Sequence, residues 1–175
     1  LSTEAAPGRG FDSFRPEVLE VSGRTFTVRR AAESDVPALI ALLRDDVLGA
    51  SREAPASTDA AAYHRAFALI AADPNQLLVA VEEDSTVVGT LQLSLIPSLS
   101  RRGTLRLQIE AVRVGAAAQG IGLGTAVFEW AHACGRRVGA GIAQLTTDRS
   151  RTDAHRFYAR LGYVASHEGL KLSLD

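Results

Sequence analysis

The sequence predicts an α/β domain of the mixed α+β kind, with a central, mostly antiparallel sheet and helices on both faces. Three observations carry that expectation. Three strand-like segments follow one another between Leu77 and Val114 with only short polar breaks. A small, Gly-rich stretch over residues 115–124 then opens a segment with helical spacing. Another strand follows, and a strand reached through a helical crossover lies parallel to the one it left.

Element by element, residues 1–24 are rich in Gly, Pro, Ser and charge and read as a flexible or loosely docked arm, leaving one domain over 25–175. Thr25-Phe26-Thr27-Val28-Arg29 alternates as a strand. Ser34-Asp35 suits a helix start, and Val36, Leu39, Ile40 and Leu43 follow at helical spacing. Ala60, Tyr63, Phe67 and Ile70 mark a second helix, which Asp73-Pro74-Asn75 stops. Residues 77–81 form a continuous apolar run suited to a central strand, and Val87, Gly89, Leu91, Leu93 and Leu95 alternate along the next. In the strand over 104–114, Leu105, Leu107, Ile109 and Ala111 are expected on one face. Arg106, Gln108, Glu110, Val112 and Val114 are expected on the other.

The helix after Gly124 carries Ala126, Val127, Trp130, Ala131, Cys134 and Val138, and Gly139 and Gly141 end it. Residues 143–147 read as a strand. Residues 151–161 read as a helix with Ala154, Phe157, Tyr158 and Leu161 on one side, stopped by Gly162. Residues 163–165 and 170–174 read as closing strands.

Length and composition bound the function. At 175 residues, 46% hydrophobic and 22% charged, the chain suits one domain with a substantial core. A formal net charge of −1 offers no field for nucleic acid or an anionic membrane. No apolar run reaches the roughly 20 residues a membrane helix needs, and no signal-peptide pattern opens the sequence. The single cysteine, Cys134, excludes an internal disulfide and fits a reducing compartment, so a cytoplasmic location is expected. It falls on the apolar face of its helix, as an inert core thiol would. His64, His132, His155 and His167 show no metal-ligand spacing, so no metal is expected.

The chemistry points to Gln119-Gly120-Ile121-Gly122-Leu123-Gly124. The first amides of a helix lack internal partners and point outward, the helix dipole adds about half a positive charge, and glycines allow close approach. A strand, such a turn and a helix make a phosphate site. The same glycines also suit a tight turn packed under the sheet. A Rossmann site fits less well, because the third glycine comes one residue early and three antiparallel strands precede the turn. A Walker A loop is excluded, because no Gly-Lys-Ser/Thr follows.

The turn and the later run Ala154-His155-Arg156-Phe157-Tyr158-Ala159-Arg160-Leu161-Gly162-Tyr163 together resemble the GNAT N-acetyltransferase superfamily. The family's turn has the form Arg/Gln-x-x-Gly-x-Gly/Ala, and the later run fits its Ala-x-x-Phe/Leu-Tyr-x-x-x-Gly-Phe/Tyr, with the right elements between them. The resemblance covers about residues 25–175 and is strongest over 109–174, where it extends to a bacterial subgroup.

What it implies is acetyl transfer from acetyl-CoA to a primary amine, small-molecule or peptide, by direct attack in a ternary complex. It places cosubstrate contacts on Val112, Arg113 and Val114, on Ala117, Ala118, Gln119, Gly120, Ile121, Gly122, Leu123, Gly124 and Thr125, and on Arg151, Ala154, Phe157 and Tyr158. Backbone groups of Val112 and Val114 would meet the pantetheine arm, with the Val112 amide polarising the thioester carbonyl.

Tyr158 is the candidate general acid, a full donor at neutral pH. Glu110 is the candidate base, directly or through water; a solvated position or a partner for Arg106 or Arg113 is the competing reading. Asp45 and Asp46, at a helix C-terminus that disfavours acidic groups, are candidates for attracting the amine. Two positions depart from the family. Ala117 stands where Arg or Gln is usual, and Arg151 where many members carry Asn. Ala117 is the feature that favours an alternative, a non-catalytic acyl-CoA sensor of the same fold. A homodimer is the expected assembly, two-fold pairs being the commonest.

Overall fold

The computed structural model describes residues 10–45 and 60–174. Its sheet runs β1 (Glu17–Val21), β2 (Arg24–Arg30), β3 (Gln76–Glu83), β4 (Thr86–Ile96), β5 (Arg106–Val114), β6 (Ile142–Gln144), and the spatial order is the order along the chain. Every neighbouring pair is antiparallel except β5 and β6, which are parallel. The helices are α1 (Val36–Arg44), α2 (Ala60–Ala72), α3 (Leu123–Arg137) and α4 (Thr152–Arg160).

Alternation along the strands sorts the side chains into two layers. Phe26, Val28, Leu77, Val79, Val81, Leu91, Leu93, Leu107 and Ile109 point one way into the main core. From α3, Leu123, Val127, Phe128, Trp130, Ala131 and Cys134 close it, and Phe157 and Tyr158 of α4 pack at its margin. Each fully buried aliphatic or phenyl side chain there contributes about 1.5–3 kcal/mol. The opposite face holds a smaller cluster in which Leu39 of α1 meets Ala31 and Ala80, with Phe67 of α2 and Leu78 against it.

Charge pins α1 to the sheet. Arg29 donates to Asp35 at 2.6 and 3.0 Å and to Glu82 at 2.8 Å, while Asp35 also accepts the Ala32 amide at 2.7 Å.

Three features depart from the sequence reading. Residues 17–21, inside the expected arm, form β1 in a hairpin with β2. Phe11, also inside it, is buried in the main core. Next, β5 carries a bulge. Glu110 pairs with Gln92 and Arg113 with Thr90, so Ala111 and Val112 together oppose Leu91. Ala111 takes the left-handed conformation at φ 53°. The extra residue reverses the alternation, so Val112 and Val114 pack on the same core as Leu107 and Ile109 rather than beside Gln108. Finally, residues 163–165 and 170–174 join no ladder, and Leu170 and Leu172 are exposed. Their alternation matches a strand, but strand formation needs a paired edge as well as a pattern.

Candidate active site

The Gly-rich turn is built as a cradle. Residues 116–118 form a single 3-10 turn, after which Gly120 and Gly122 take φ values of 77° and 93°. Gly122 is the N-cap of α3, and no side chain caps that end. A Cβ at Gly120 would meet nothing within 4 Å, and one at Gly122 only Val21 at 3.9 Å. The glycines therefore answer to backbone conformation and to access from outside, not to crowding from within. Ala117, Gln119, Gly120 and Thr125 are exposed around the cradle, whereas the Ala118 and Leu123 side chains are buried beneath it. Only the main chain of Ala118 and Leu123 can face a ligand.

The hairpin braces this turn from below. Ser22 donates its hydroxyl to the Ile121 carbonyl at 2.9 Å, and Arg24 donates to the Ala117 carbonyl at 3.1 Å. Glu83 holds Arg24 through two bonds of 2.6 and 2.5 Å. Gln119 reaches back to the Val114 carbonyl at 2.8 Å. Neither Ser22 nor Arg24 was legible as a site residue, because both lie about a hundred positions from the turn.

Beside the cradle the sheet opens. The parallel ladder between β5 and β6 covers only residues 106–108 on β5. From residue 109 onward β5 keeps β4 on one edge and, among the described residues, has no strand on the other. The bulge lies in that stretch, so backbone groups around Ala111, Val112 and Val114 border an open wedge leading from the cradle.

Tyr158 stands at the wedge on α4. Its ring packs edge-on against Phe128, Phe157 and Tyr163, at centroid distances of 5.6, 5.5 and 6.0 Å. Its hydroxyl bonds to no protein group among the described residues. Burial pushes its pKa above the ordinary 10.0, with Arg151 and Arg113 pulling the other way. The hydroxyl is therefore a protonated donor at neutral pH. Phe157 lies 3.7 Å from the Cβ position of Gly124, which locks α4 to the first turn of α3. Arg151 and Ala154, at the start of α4, are half-buried.

Glu110 is exposed on the opposite face of β5, next to Gln92, and forms no ion pair with Arg106 or Arg113. That face carries an apolar cavity of about 170 Å³ between α1, α2 and the sheet, lined by Leu39, Leu43, Tyr63, Phe67 and Ile70 and floored by Thr90, Gln92 and Ala111. A larger cleft of about 380 Å³, between Asp12, Arg30 and Asp73, lies away from the turn. There Arg30 is occupied in holding the Phe11 and Gln76 carbonyls. Asp45 is exposed at the end of α1, and Asp46 lies outside the described residues.

Cys134 is buried, with its pKa pushed up to about 11 by burial, and is inert. Among the described residues no group of His, Cys, Asp and Glu is arranged to hold a metal ion, and no helix is long and apolar enough to cross a membrane.

The glycine turn opens α3 beside a parallel strand pair that is joined over only part of β5, and sequence comparison gives the class to which this architecture belongs. The acetyltransferase (GNAT) family profile matches residues 38–163, so the chain belongs to that family. The aminoalkylphosphonate N-acetyltransferase of Salmonella typhimurium is 32% identical over 109 residues, covering 62% of this chain and 70% of that protein. A solved transcriptional regulator from Bacillus halodurans is 41% identical, with a TM-score of 0.81 over 85% of this chain and 99% of its own. A Clostridium acetobutylicum structure containing acetyl-CoA shares the fold at 16% identity, with a TM-score of 0.67 over 85% of this chain and 96% of its own. The chain is thus an acetyltransferase of the GNAT family.

Proposed function

We propose that the enzyme moves the acetyl group of acetyl-CoA to a primary amine by direct attack in a ternary complex. The observation that carries this reading is the pairing of two features at one end of the sheet. The glycine cradle of Gly120 and Gly122 fits a pyrophosphate, and the open edge of β5 fits an extended amide-bearing arm. Hydrogen bonds from that arm to Val112 and Val114 would continue the sheet, and the Val112 amide would stabilise charge on the carbonyl oxygen. Arg151, near Tyr158 at the start of α4, is suited to a phosphate in place of the amide many members use. Amides of the turn substitute for the side chain that Ala117 lacks.

In the transfer, the amine nitrogen attacks the thioester carbonyl, a C–N bond forms and the C–S bond breaks. Glu110 takes the proton the nitrogen gives up, and the Tyr158 hydroxyl protonates the departing thiolate. Glu110 lies on the α1/α2 face of β5 and Tyr158 comes from α4 on the core side, so acceptor and leaving group are served separately. The Salmonella relative makes small amines that carry an acid group the first acceptors to test. Release of free thiol from acetyl-CoA, followed with a panel of primary amines, tests the reading. Amine-dependent release is expected, and acetyl-CoA binding with no release for any amine would contradict it.

A further inference from the structure

The face of the sheet beneath α1 and α2 carries a row of polar side chains that the transfer chemistry does not use. In register across four strands it reads Gln76, Ser94, Gln108, Gln144. Gln108 and Ser94 are only 8% and 9% exposed. The row joins the apolar cavity at Gln92, whose amide donates to Gln76 Oε1 at 3.0 Å.

Tracing the bonds leaves donors unused at Gln76 and Gln108, and free amide oxygens at Gln92 and Gln144. Gln76 Oε1 also accepts from the Ser94 hydroxyl at 2.5 Å, so its acceptor is consumed and its NH₂ is left over. Gln108 Oε1 accepts from Gln144 at 2.7 Å, and again the NH₂ is left over. Two residues along β5, the Nε of Arg106 is buried and bonds to nothing. Among the described residues the side chains of Gln76, Gln108 and Arg106 have no further hydrogen-bond partner. The Gln76 and Gln108 NH₂ groups are not sealed from solvent, so a ligand can reach them.

Asp35 and Glu82 on this face are held by Arg29, and a further carboxylate lies on β5 itself. Glu110 lies two residues from Gln108, a separation of roughly 7 Å along a strand. The face thus has a carboxylate at the end where the amine reacts and unmet donors, one of them cationic, farther along.

We infer that Gln108 and Arg106, with Gln76 beside them, bind an oxyanion on the acceptor. The substrate class is then a short amine bearing a phosphonate, phosphate or carboxylate a few bonds from its nitrogen. This inference rests on the acetyltransferase reading and names specificity residues for that site. The ammonium end is drawn to Glu110 and the oxyanion lies in the donor row, which orients the nitrogen toward the wedge. An uncharged amine of the same length gains only the first contact.

The test compares three acceptors of matched length under saturating acetyl-CoA: 2-aminoethylphosphonate, 3-aminopropanoate and propylamine. Wild-type enzyme is expected to use the two oxyanionic amines with kcat/KM at least tenfold above propylamine. Their ratio identifies which headgroup the row fits. Arg106→Met and Gln108→Leu should each remove most of that preference by raising the KM of the oxyanionic acceptors, leaving the KM for acetyl-CoA and the rate with propylamine unchanged. Gln108→Glu, which keeps size and polarity, should reverse the preference and covers the case in which Gln108→Leu fails to fold. A wild-type enzyme without preference, or variants that keep it, would overturn the inference while leaving the transferase reading intact. Failure to acetylate either oxyanionic amine by an enzyme that acetylates another primary amine would also overturn the inference, whereas acetyl-CoA binding with no release for any amine of the wider panel would contradict the transferase reading.

Discussion

In the proposed transfer, Tyr158 serves the departing thiolate and Glu110 the attacking amine. Burial holds the Tyr158 phenol above its ordinary pKa, so the donor form persists through neutral and mildly alkaline pH. The alkaline limb of kcat that reports Tyr158 is therefore expected above pH 10, where a pH–rate profile would find it. Tyr158→Phe should lower kcat by on the order of 100-fold while acetyl-CoA affinity stays nearly unchanged, because the ring that packs on Phe128 and Phe157 is retained. Glu110→Gln should cost most at low pH, where the acceptor is an ammonium and needs a base. A loss uniform across pH would assign Glu110 to positioning.

The Asp35 charge contributes to stability through Arg29. Its carboxyl is held below the ordinary value chiefly by its bond to Arg29, against the opposing effect of burial. A depressed pKa means that the contribution is present above the unfolded value near 3.8 and is lost as pH falls through the folded one. Asp35→Asn should lower stability by about 3 kcal/mol at pH 7, since it leaves Arg29 short of its partner. The gap between variant and wild type should close below pH 4, as chemical denaturation at several pH values would show.

At the scale of elements, the hairpin of β1 and β2 supports the cradle at the start of α3. Ser22→Ala removes one bond to the Ile121 carbonyl, worth about 1 kcal/mol, and should raise the KM for acetyl-CoA a few-fold without changing kcat. Gly122→Asp forces a side chain into a φ of 93° and sets a negative charge where phosphate would approach, so acetyl-CoA affinity should fall at least 100-fold by calorimetric titration.

The turn, α3 and the meander β3–β5 were legible because glycine spacing and strict alternation act locally. The hairpin was not. Residues 17–21 alternate weakly, and their strand depends on β2 and on the Arg137–Glu17 ion pair from α3. The bulge at Ala111 was invisible for the opposite reason: nothing about an alanine in a strand announces a φ of 53°. Strict alternation consequently misassigned Val112 and Val114. The donor row, by contrast, was available in principle, because Gln76, Ser94 and Gln108 share parity with their strands' polar faces once the registers are known.

Across the whole molecule, the sheet separates two tasks. One face holds the large core that fixes α3 and α4, and with them the cradle and Tyr158. The other holds a thin cluster under α1 and α2, with a cavity and unmet donors where an acceptor can enter. On the proposed reading, the firmly packed face positions the cosubstrate and the thinly packed face the acceptor.

The central claim, that this sheet and turn bind acetyl-CoA as acetyl donor, is tested most directly by the thermal midpoint of the wild-type and Gly122→Asp proteins with acetyl-CoA or NAD. At a hundred times Kd, binding to the folded state adds about 2.7 kcal/mol, a rise of roughly 5–10 °C for a domain of this size. That rise is expected for wild type with acetyl-CoA alone. No rise, an equal rise with NAD, or an undiminished rise in Gly122→Asp would contradict it.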